Sequence, residues 1–444
     1  MSAFIEKRVR HVVRATAMAA SLFACSNADR GFAAPTKLPA PSKASRSVGL
    51  PAGLASPDWQ STLTALIAQN NVNPLVASRA YALLGVAQYR AVQQAQHGIG
   101  HADDEVSAGN AESARSGRGN RASDNGAVAG ASAVVLSYVF PLQQQTFEDM
   151  VTTQRNASPG QSQRAFARAE AIGRSEGAKM VARAQGDHFN TSFTGTIPVG
   201  QGFWISNTTP ATVGGGQLPA VLPWFLTSAS QFRPSAPPAF GSPAFLTALA
   251  EIRHISDTRT DEQIRIATFW AMNAAAPNPG EPTPPGYWVQ VGTDAINEHG
   301  LSEREATHLY ALLGATMFDA AIGCWDGKLT YWFIRPWQAD PAITLVPAVG
   351  KPNHPSYPSA HSCFSSSGAE VLSAFFPEQR SRLDSLVTEA GLSRMYGGIH
   401  YRFDIEAGKQ LGVNVARFAI AADRVGRSAL TPDDERNQNG ARRR

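Results

Sequence analysis

Apolar side chains recur along this chain at intervals of three and four residues, and runs that alternate apolar with polar positions are scarce. That period belongs to a helix face rather than to a pleated strand, so the pattern predicts an all-α fold. Trp59, Leu63, Leu66 and Ile67 share one helical face; after Asn73-Pro74, Ala77, Tyr81, Leu84 and Ala87 or Gln88 share another. Both read as core-facing helices. Helical spacing resumes over 127–138 and 161–184, where small residues let helices approach closely. It returns over 243–256 (Leu246, Leu249, Ala250, Arg253) and over 261–272 (Ile264, Ala267, Thr268, Phe269), until the prolines of 277–285 break it. A last long helix starts at Ser302, whose hydroxyl can cap it while Glu305 bonds back. Its buried stripe is Leu309, Leu312, Leu313, Thr316, Met317 and Ala320.

Interruptions of the pattern suggest boundaries. Residues 97–126 are mostly Gly, Ser, Asn, Asp and Arg, with almost no large apolar side chain to offset the entropy of ordering, and are expected to form a mobile loop. Residues 200–243 combine Trp204, a Gly214-Gly215-Gly216 run, Trp224-Phe225 and several prolines, which predicts an irregular but ordered segment. Its aromatic residues read by default as a wall packed on the core, with the rim of a substrate funnel as the other reading. The chain therefore divides into an N-terminal helical region, 59–299, packed beside a C-terminal helical bundle of the four-helix type, 300–425, and a polar tail, 426–444.

At the N-terminus, basic residues from Lys7 to Arg14 precede an apolar run ending at Ala24, as in an export signal, and 35–58 reads as a Pro/Ser/Ala-rich linker. A signal over 1–34 implies a periplasmic or secreted protein. Cleavage near Ala33 or Ala34 is favoured over lipid attachment at Cys25, and an ordinary basic cytosolic terminus is the bland alternative. No other run reaches the roughly 20 apolar residues of a membrane span, so no transmembrane helix is expected. The net charge of +4, partly contributed by the two ends, leaves no nucleic-acid footprint. Cys25, Cys324 and Cys363 lack metal-ligand spacing, and whether Cys324 and Cys363 pair stays open.

Candidate chemistry concentrates in three motifs between residues 328 and 404. The first is Lys328-x6-Arg335-Pro336: on a continuing helix the two cations would point the same way, with Pro336 ending the helix. The surrounding Tyr331, Trp332, Phe333, Ile334 and Trp337 make burial plausible, and buried cations require an anion. The second is Pro358-Ser359-Ala360-His361, a turn opening a helix, where free amides and the helix dipole favour negative charge. Ser359 could cap that helix or donate its hydroxyl to an oxyanion. In the third, Ser393-Arg394-x5-His400-x3-Asp404, a helix would place Asp404 where it holds one imidazole nitrogen of His400, with Gly397-Gly398 turning Arg394 back towards it. Each motif alone has a structural explanation, as solvated cations, a helix cap or a stiffening pair. All three in this order assemble what a tetrahedral oxyanion needs.

In order and internal spacing these motifs resemble the signature of the type 2 phosphatidic acid phosphatase (PAP2) and vanadium-dependent haloperoxidase superfamily. The resemblance is specific over 300–424 and weaker over 200–300, where Pro234-Ser235-Ala236-Pro237-Pro238, Arg259-Thr260 and Phe269-Trp270 look like the longer bacterial haloperoxidase-like members. It implies that Lys328, Arg335 and Arg394 neutralise the oxygens of bound vanadate or phosphate, with Ser359 and the Ala360 amide donating to them. His400 would be the vanadium ligand or the phosphorus nucleophile, His361 the general acid-base and Asp404 the group orienting His400. Ala360 departs from the usual glycine, which puts its amide contact in question if the site needs a positive φ. The long region before the bundle resembles the peroxidase branch, working on hydrogen peroxide and halide, and His354 resembles the residue that tunes halide preference towards bromide or iodide. The short interval from His361 to Ser393 resembles instead the secreted acid phosphatases, which act on phosphate esters. A non-catalytic oxyanion-binding protein is the third reading.

Overall fold

A computed structural model describes residues 53–100, 112–158, 160, 162–272, 282–425 and 430. The export signal, most of the linker, residues 101–111 of the expected loop, residues 159, 161 and 273–281, and the tail apart from Leu430 lie outside them. Among the described residues the chain is all-α, as expected. Its helices are α1 (Ala55–Gln69), α2 (Pro74–Gly100), α3 (Glu112–Val139), α4 (Gln144–Asn156), α5 (Ser162–Gly186), α6 (Pro243–Thr258), α7 (Asp261–Phe269), α8 (Pro284–His299), α9 (Glu303–Tyr331), α10 (Pro336–Ala339), α11 (Ala360–Phe375), α12 (Arg380–Tyr396) and α13 (Arg402–Arg424). None of them is long and apolar enough to cross a membrane.

The expected stripe on α9 widens into burial on every side: each residue from Leu309 to Lys328 is buried. An all-round apolar helix is a core element, and α9 is the axis on which both helical regions pack. Its start carries the predicted box, with Ser302 and Glu305 satisfying each other's backbone amides. Beside them Glu303 reaches back to the first helix, its carboxylate accepting from the amides of Ala55 (2.6 Å) and Ser56 (2.9 Å). That anchor explains why α1 begins at Ala55, inside the stretch expected to be linker. Small residues set how closely the axis is approached: a Cβ on Gly314 would lie 2.8 Å from the Tyr81 carbonyl oxygen of α2.

Part of the loop expected at 97–126 is helical, since α2 runs to Gly100 and α3 starts at Glu112. The composition misleads there because Gly126 and Gly130 serve packing: a Cβ at either would lie 2.2 Å from a carbonyl oxygen of α5. On α6 the buried positions are Phe245 and Ile252, whereas Leu246 is 53% exposed, so the expected stripe is rotated. Helix α7 closes at Phe269, short of Met272.

The irregular segment is ordered by α9. Asp319, fully buried, accepts from the amides of Trp224 (2.8 Å), Phe225 (2.7 Å) and Leu226 (3.1 Å). Trp204, Trp224 and Phe225 pack inward as a wall. Burial pushes the Asp319 carboxyl up to about 6, against the three amides that favour its charge. Replacing it strands buried donors. Asp319→Ala is expected to lower stability by about 3 kcal/mol, read from urea unfolding, with Asp319→Asn nearly as damaging because its NH2 faces those donors.

Candidate oxyanion site

Lys328 lies in the last turn of α9, fully buried, and its Nζ donates to the carbonyls of Pro355 (2.8 Å), Ser356 (2.9 Å) and Pro358 (2.6 Å). The helix does not continue to Arg335. Trp332 adopts a left-handed conformation (φ 46°) that ends α9, and the chain then runs extended, the Trp332 carbonyl accepting from Trp204 and the Ile334 amide donating to Gly202. Pairing with this distant stretch overrides the helical register, and Lys328 and Arg335 reach the site from different elements. Pro336 starts α10 rather than ending a helix.

Arg335, fully buried, holds two histidines. It donates to His400 Nε2 (3.0 Å) and the Ile399 carbonyl (2.7 Å), and to His354 Nδ1 (3.1 Å) and the His354 carbonyl (3.1 Å). A guanidinium only donates, so both of these ring nitrogens present lone pairs. The remaining nitrogen of His400, Nδ1, donates to Asp404 Oδ2 at 2.8 Å. This is the predicted His400–Asp404 pair, but not two residues on one helix: α13 begins at Arg402, and His400 precedes it. Asp404 stands in the first turn, where the same oxygen accepts from the Tyr401 amide (3.1 Å) and the Ser356 hydroxyl (2.6 Å). Capping geometry replaces helical spacing as the reason the two meet.

The Asp404 carbonyl accepts from the Ser359 amide (2.9 Å), which ties the second motif to the third. Ser359 precedes α11 but makes no capping bond; its hydroxyl is buried without a partner in the protein. Ala360 is the first helical residue and is absent from the positive-φ positions, so its methyl group brings no backbone strain and its amide is one of the helix's unpaired N-terminal donors. His361, partly exposed, donates from Nε2 to the Trp270 carbonyl (2.8 Å). Arg394, in the last turn of α12, donates to Ser393 Oγ (2.9 Å) and the Ala267 carbonyl (3.1 Å). Gly398 at φ 78° makes the turn that follows, and a Cβ there would lie 2.8 Å from the Thr344 carbonyl oxygen. Ser356 and the end of α7 escaped the sequence reading, because a hydroxyl among prolines and a backbone carbonyl carry no spacing signal. Cys324 and Cys363 are buried free thiols, and the Cys324 thiol donates to the Pro358 carbonyl (3.7 Å).

Three cations are thus buried, and Asp404 is the carboxylate that acts on two of them, Lys328 and Arg335. Burial lowers Lys328 to about 8, Arg335 to about 10 and Arg394 to about 9, with Arg335 adding repulsion at Arg394. Burial followed by neighbouring cations holds His400 and His361 well below the usual histidine value, so both are neutral. Asp404 is pushed up to about 6 by burial, against the pull of Ser356 and Lys328. The donor set is cations, a hydroxyl and helix amides around one imidazole lone pair, which suits an oxyanion. Among the described residues no group of three or more His, Cys, Asp and Glu is gathered as for a metal cation.

The family model of the PAP2 superfamily matches residues 306–425, which contain every one of these side chains. This region belongs to the PAP2 superfamily. The likeness of fold extends further. A crystal structure described as the first bacterial vanadium-dependent iodoperoxidase superposes with a TM-score of 0.67 at 22% identity, covering 84% of this chain and 97% of that one. A holo-type bacterial vanadium-dependent chloroperoxidase gives 0.61 at 14% identity, covering 86% and 97%. None of the curated proteins compared matches the sequence. The PAP2 region therefore sits within a larger all-α fold shared with these structures.

The depressed Lys328 gives the site a pH signature. Between about pH 6, where Asp404 ionises, and about pH 8 the ammonium is already charged and oxyanion affinity is level; above it, binding must take up a proton, and affinity falls by up to about tenfold per pH unit. Calorimetric titration with tungstate, whose own charge is constant across this range, is expected to show that break. Lys328→Met should bind weakly throughout and lack it.

Proposed function

We propose that this chain is a vanadate-dependent haloperoxidase that oxidises bromide or iodide with hydrogen peroxide. What carries the reading is the pairing of two observations: three buried cations that all bear on His361, with Arg335 donating to His400 Nε2, and a region before the PAP2 domain that folds as in haloperoxidase structures. A vanadate fits the residues present. Lys328, Arg335 and Arg394 supply positive charge balanced by only one carboxylate, the Ser359 hydroxyl is uncommitted, and His400 Nε2 faces the cage as a neutral donor atom.

When bound, vanadate supplies the Lewis acidity that activates hydrogen peroxide. The chain's own part is positioning and proton handling. Asp404 keeps the proton of His400 on Nδ1, so that the Nε2 lone pair, which accepts from Arg335, is the one that would turn to the oxyanion. His361, neutral and partly exposed, is the base for the proton of hydrogen peroxide and returns it to the leaving oxygen. Its Nε2–H is tied to Trp270, which fixes the ring and leaves Nδ1 for that proton. His354, buttressed by Arg335 and by the Trp325 ring at 5.0 Å, borders the cage as the group that tunes halide choice.

The same cage would hold a phosphate ester with His400 as nucleophile, so the test separates the two. Purified protein given vanadate, peroxide and bromide or iodide should halogenate a dye. His400→Ala should abolish this, and Asp404→Asn should weaken vanadate binding about 10- to 100-fold. Absence of halogenation with every halide, alongside hydrolysis of an aryl phosphate that vanadate inhibits, would replace this reading with a phosphatase.

A further inference from the structure

His361 takes its orientation from a residue outside the PAP2 region. Its Nε2–H donates to the carbonyl of Trp270 at 2.8 Å, whereas the family match begins at residue 306. That carbonyl is available because α7 ends at Phe269: with no further turn to bond it, it accepts from α11 instead. A carbonyl at a helix end fixes an imidazole only if the helix end is itself fixed.

Helix α12 holds it at two points. Arg394 donates to the Ala267 carbonyl (3.1 Å), and Glu389 Oε1 accepts from the indole Nε1–H of Trp270 (2.9 Å). Ala267 and Trp270 stand at either end of the last turn of α7, so the two contacts clamp that turn. The Trp270 side chain is fully buried, edge-on to Phe269 (5.4 Å) and to Tyr287 of α8 (5.0 Å), and a buried indole N–H needs an acceptor. Apolar packing keeps the ring in the core without direction, whereas the hydrogen bond to Glu389 sets how it is turned. Arg394 and Glu389 thus tie the chain around Trp270 to the helix that also supplies a cation of the oxyanion site.

We propose that Glu389 is a positioning residue for His361: by holding the Trp270 indole it keeps the Trp270 carbonyl on Nε2–H, and so keeps the lone pair on Nδ1. The acid-base role of His361 rests on the haloperoxidase reading; the latch itself does not. Glu389 touches neither the oxyanion-binding residues nor His361, and acts through Trp270 alone. The region before the PAP2 domain is then more than a covering layer, because it carries the carbonyl that decides which nitrogen of His361 can take a proton.

Histidine-selective 15N labelling of the full chain reads the latch without turnover, the His361 signals being assigned by their absence from His361→Gln. Wild type should show the Nε2–H tautomer. Glu389→Leu, which lacks an acceptor, should give a mixture of both tautomers, while Glu389→Gln keeps an acceptor oxygen and should keep the wild-type form. Trp270→Phe removes the N–H from the other side and gives a second reading if Glu389→Leu lowers the melting temperature; the double variant should be no worse than either alone. In halogenation assays Glu389→Leu should lower kcat about tenfold with the KM for bromide constant, and Glu389→Gln should restore most of it. An Nδ1–H tautomer in wild type, or an unchanged tautomer in folded Glu389→Leu and Trp270→Phe, overturns the latch. Equal loss in Glu389→Gln and Glu389→Leu overturns it too, since charge rather than the hydrogen bond would then be at work. A shifted tautomer with unchanged kcat overturns its bearing on the reaction. A tautomer that follows the latch in a wild-type protein that halogenates nothing supports the positioning and instead overturns the haloperoxidase reading.

Discussion

Three positive side chains buried opposite a single carboxylate are the constraint under which the rest of this molecule is built. Lys328 and Arg335 are fully buried and Arg394 is nearly so, and besides a few side-chain partners each is held by backbone carbonyls. Carbonyl dipoles orient a cation and lower the penalty of its burial, but they leave its charge intact. The balance must come from an anion, and among the described residues the carboxylate acting on Lys328 and Arg335, Asp404, is already committed to His400, Tyr401 and Ser356. Such an arrangement survives only in a frame that prevents the cations from moving apart or reaching water.

That frame is made of helix ends. The last turn of α9 carries Lys328, the last turn of α12 carries Arg394, the start of α11 brings Ser359 and Ala360, and the start of α13 brings Asp404. Ends are where backbone groups lack partners inside the helix, so the first turn of α11 directs donors towards the cage, and at the C-terminal end of α7 the carbonyls of Ala267 and Trp270 accept from Arg394 and His361. The close fit of α13 against α11 holds these ends in register: a Cβ on Gly408 would lie 2.5 Å from the Ser359 carbonyl oxygen. Electrostatics and packing are thus one design, and the irregular segment joins it through Asp319 and through the pairing of 202–204 with 332–334.

Much of this was legible in the linear order of residues. The all-α class follows from the apolar period, and the Ser302 cap from its local signature. The identity of the cage follows from which charged and polar types occur together, because oxyanion chemistry depends on side-chain kind. Less legible was anything that depends on what lies opposite. Residues 112–126 look like loop by composition, yet Gly126 at their end, like Gly130 beyond it, is a contact point for α5. Leu246 belongs to the apolar spacing of α6, yet faces out because Phe245 and Ile252 meet the neighbouring elements instead.

What the sequence by itself determined was therefore the inventory and its order: three cations, a hydroxyl, imidazoles and a carboxylate on a helical scaffold, a matter of local propensity and chemical type. Only the tertiary structure decided how they converge. Lys328 and Arg335 are not two turns of one helix, because backbone pairing with a stretch far away in the chain stops α9 at Trp332. His400 and Asp404 meet through a helix cap rather than a helical face, and Ser359 keeps its hydroxyl free because Asp404 takes its amide. The stop at Trp332 and the tie between Ser359 and Asp404 rest on hydrogen bonds between residues distant in sequence, whose formation depends on the whole core being assembled; the His400–Asp404 pair is local but set by a cap, which no apolar period encodes.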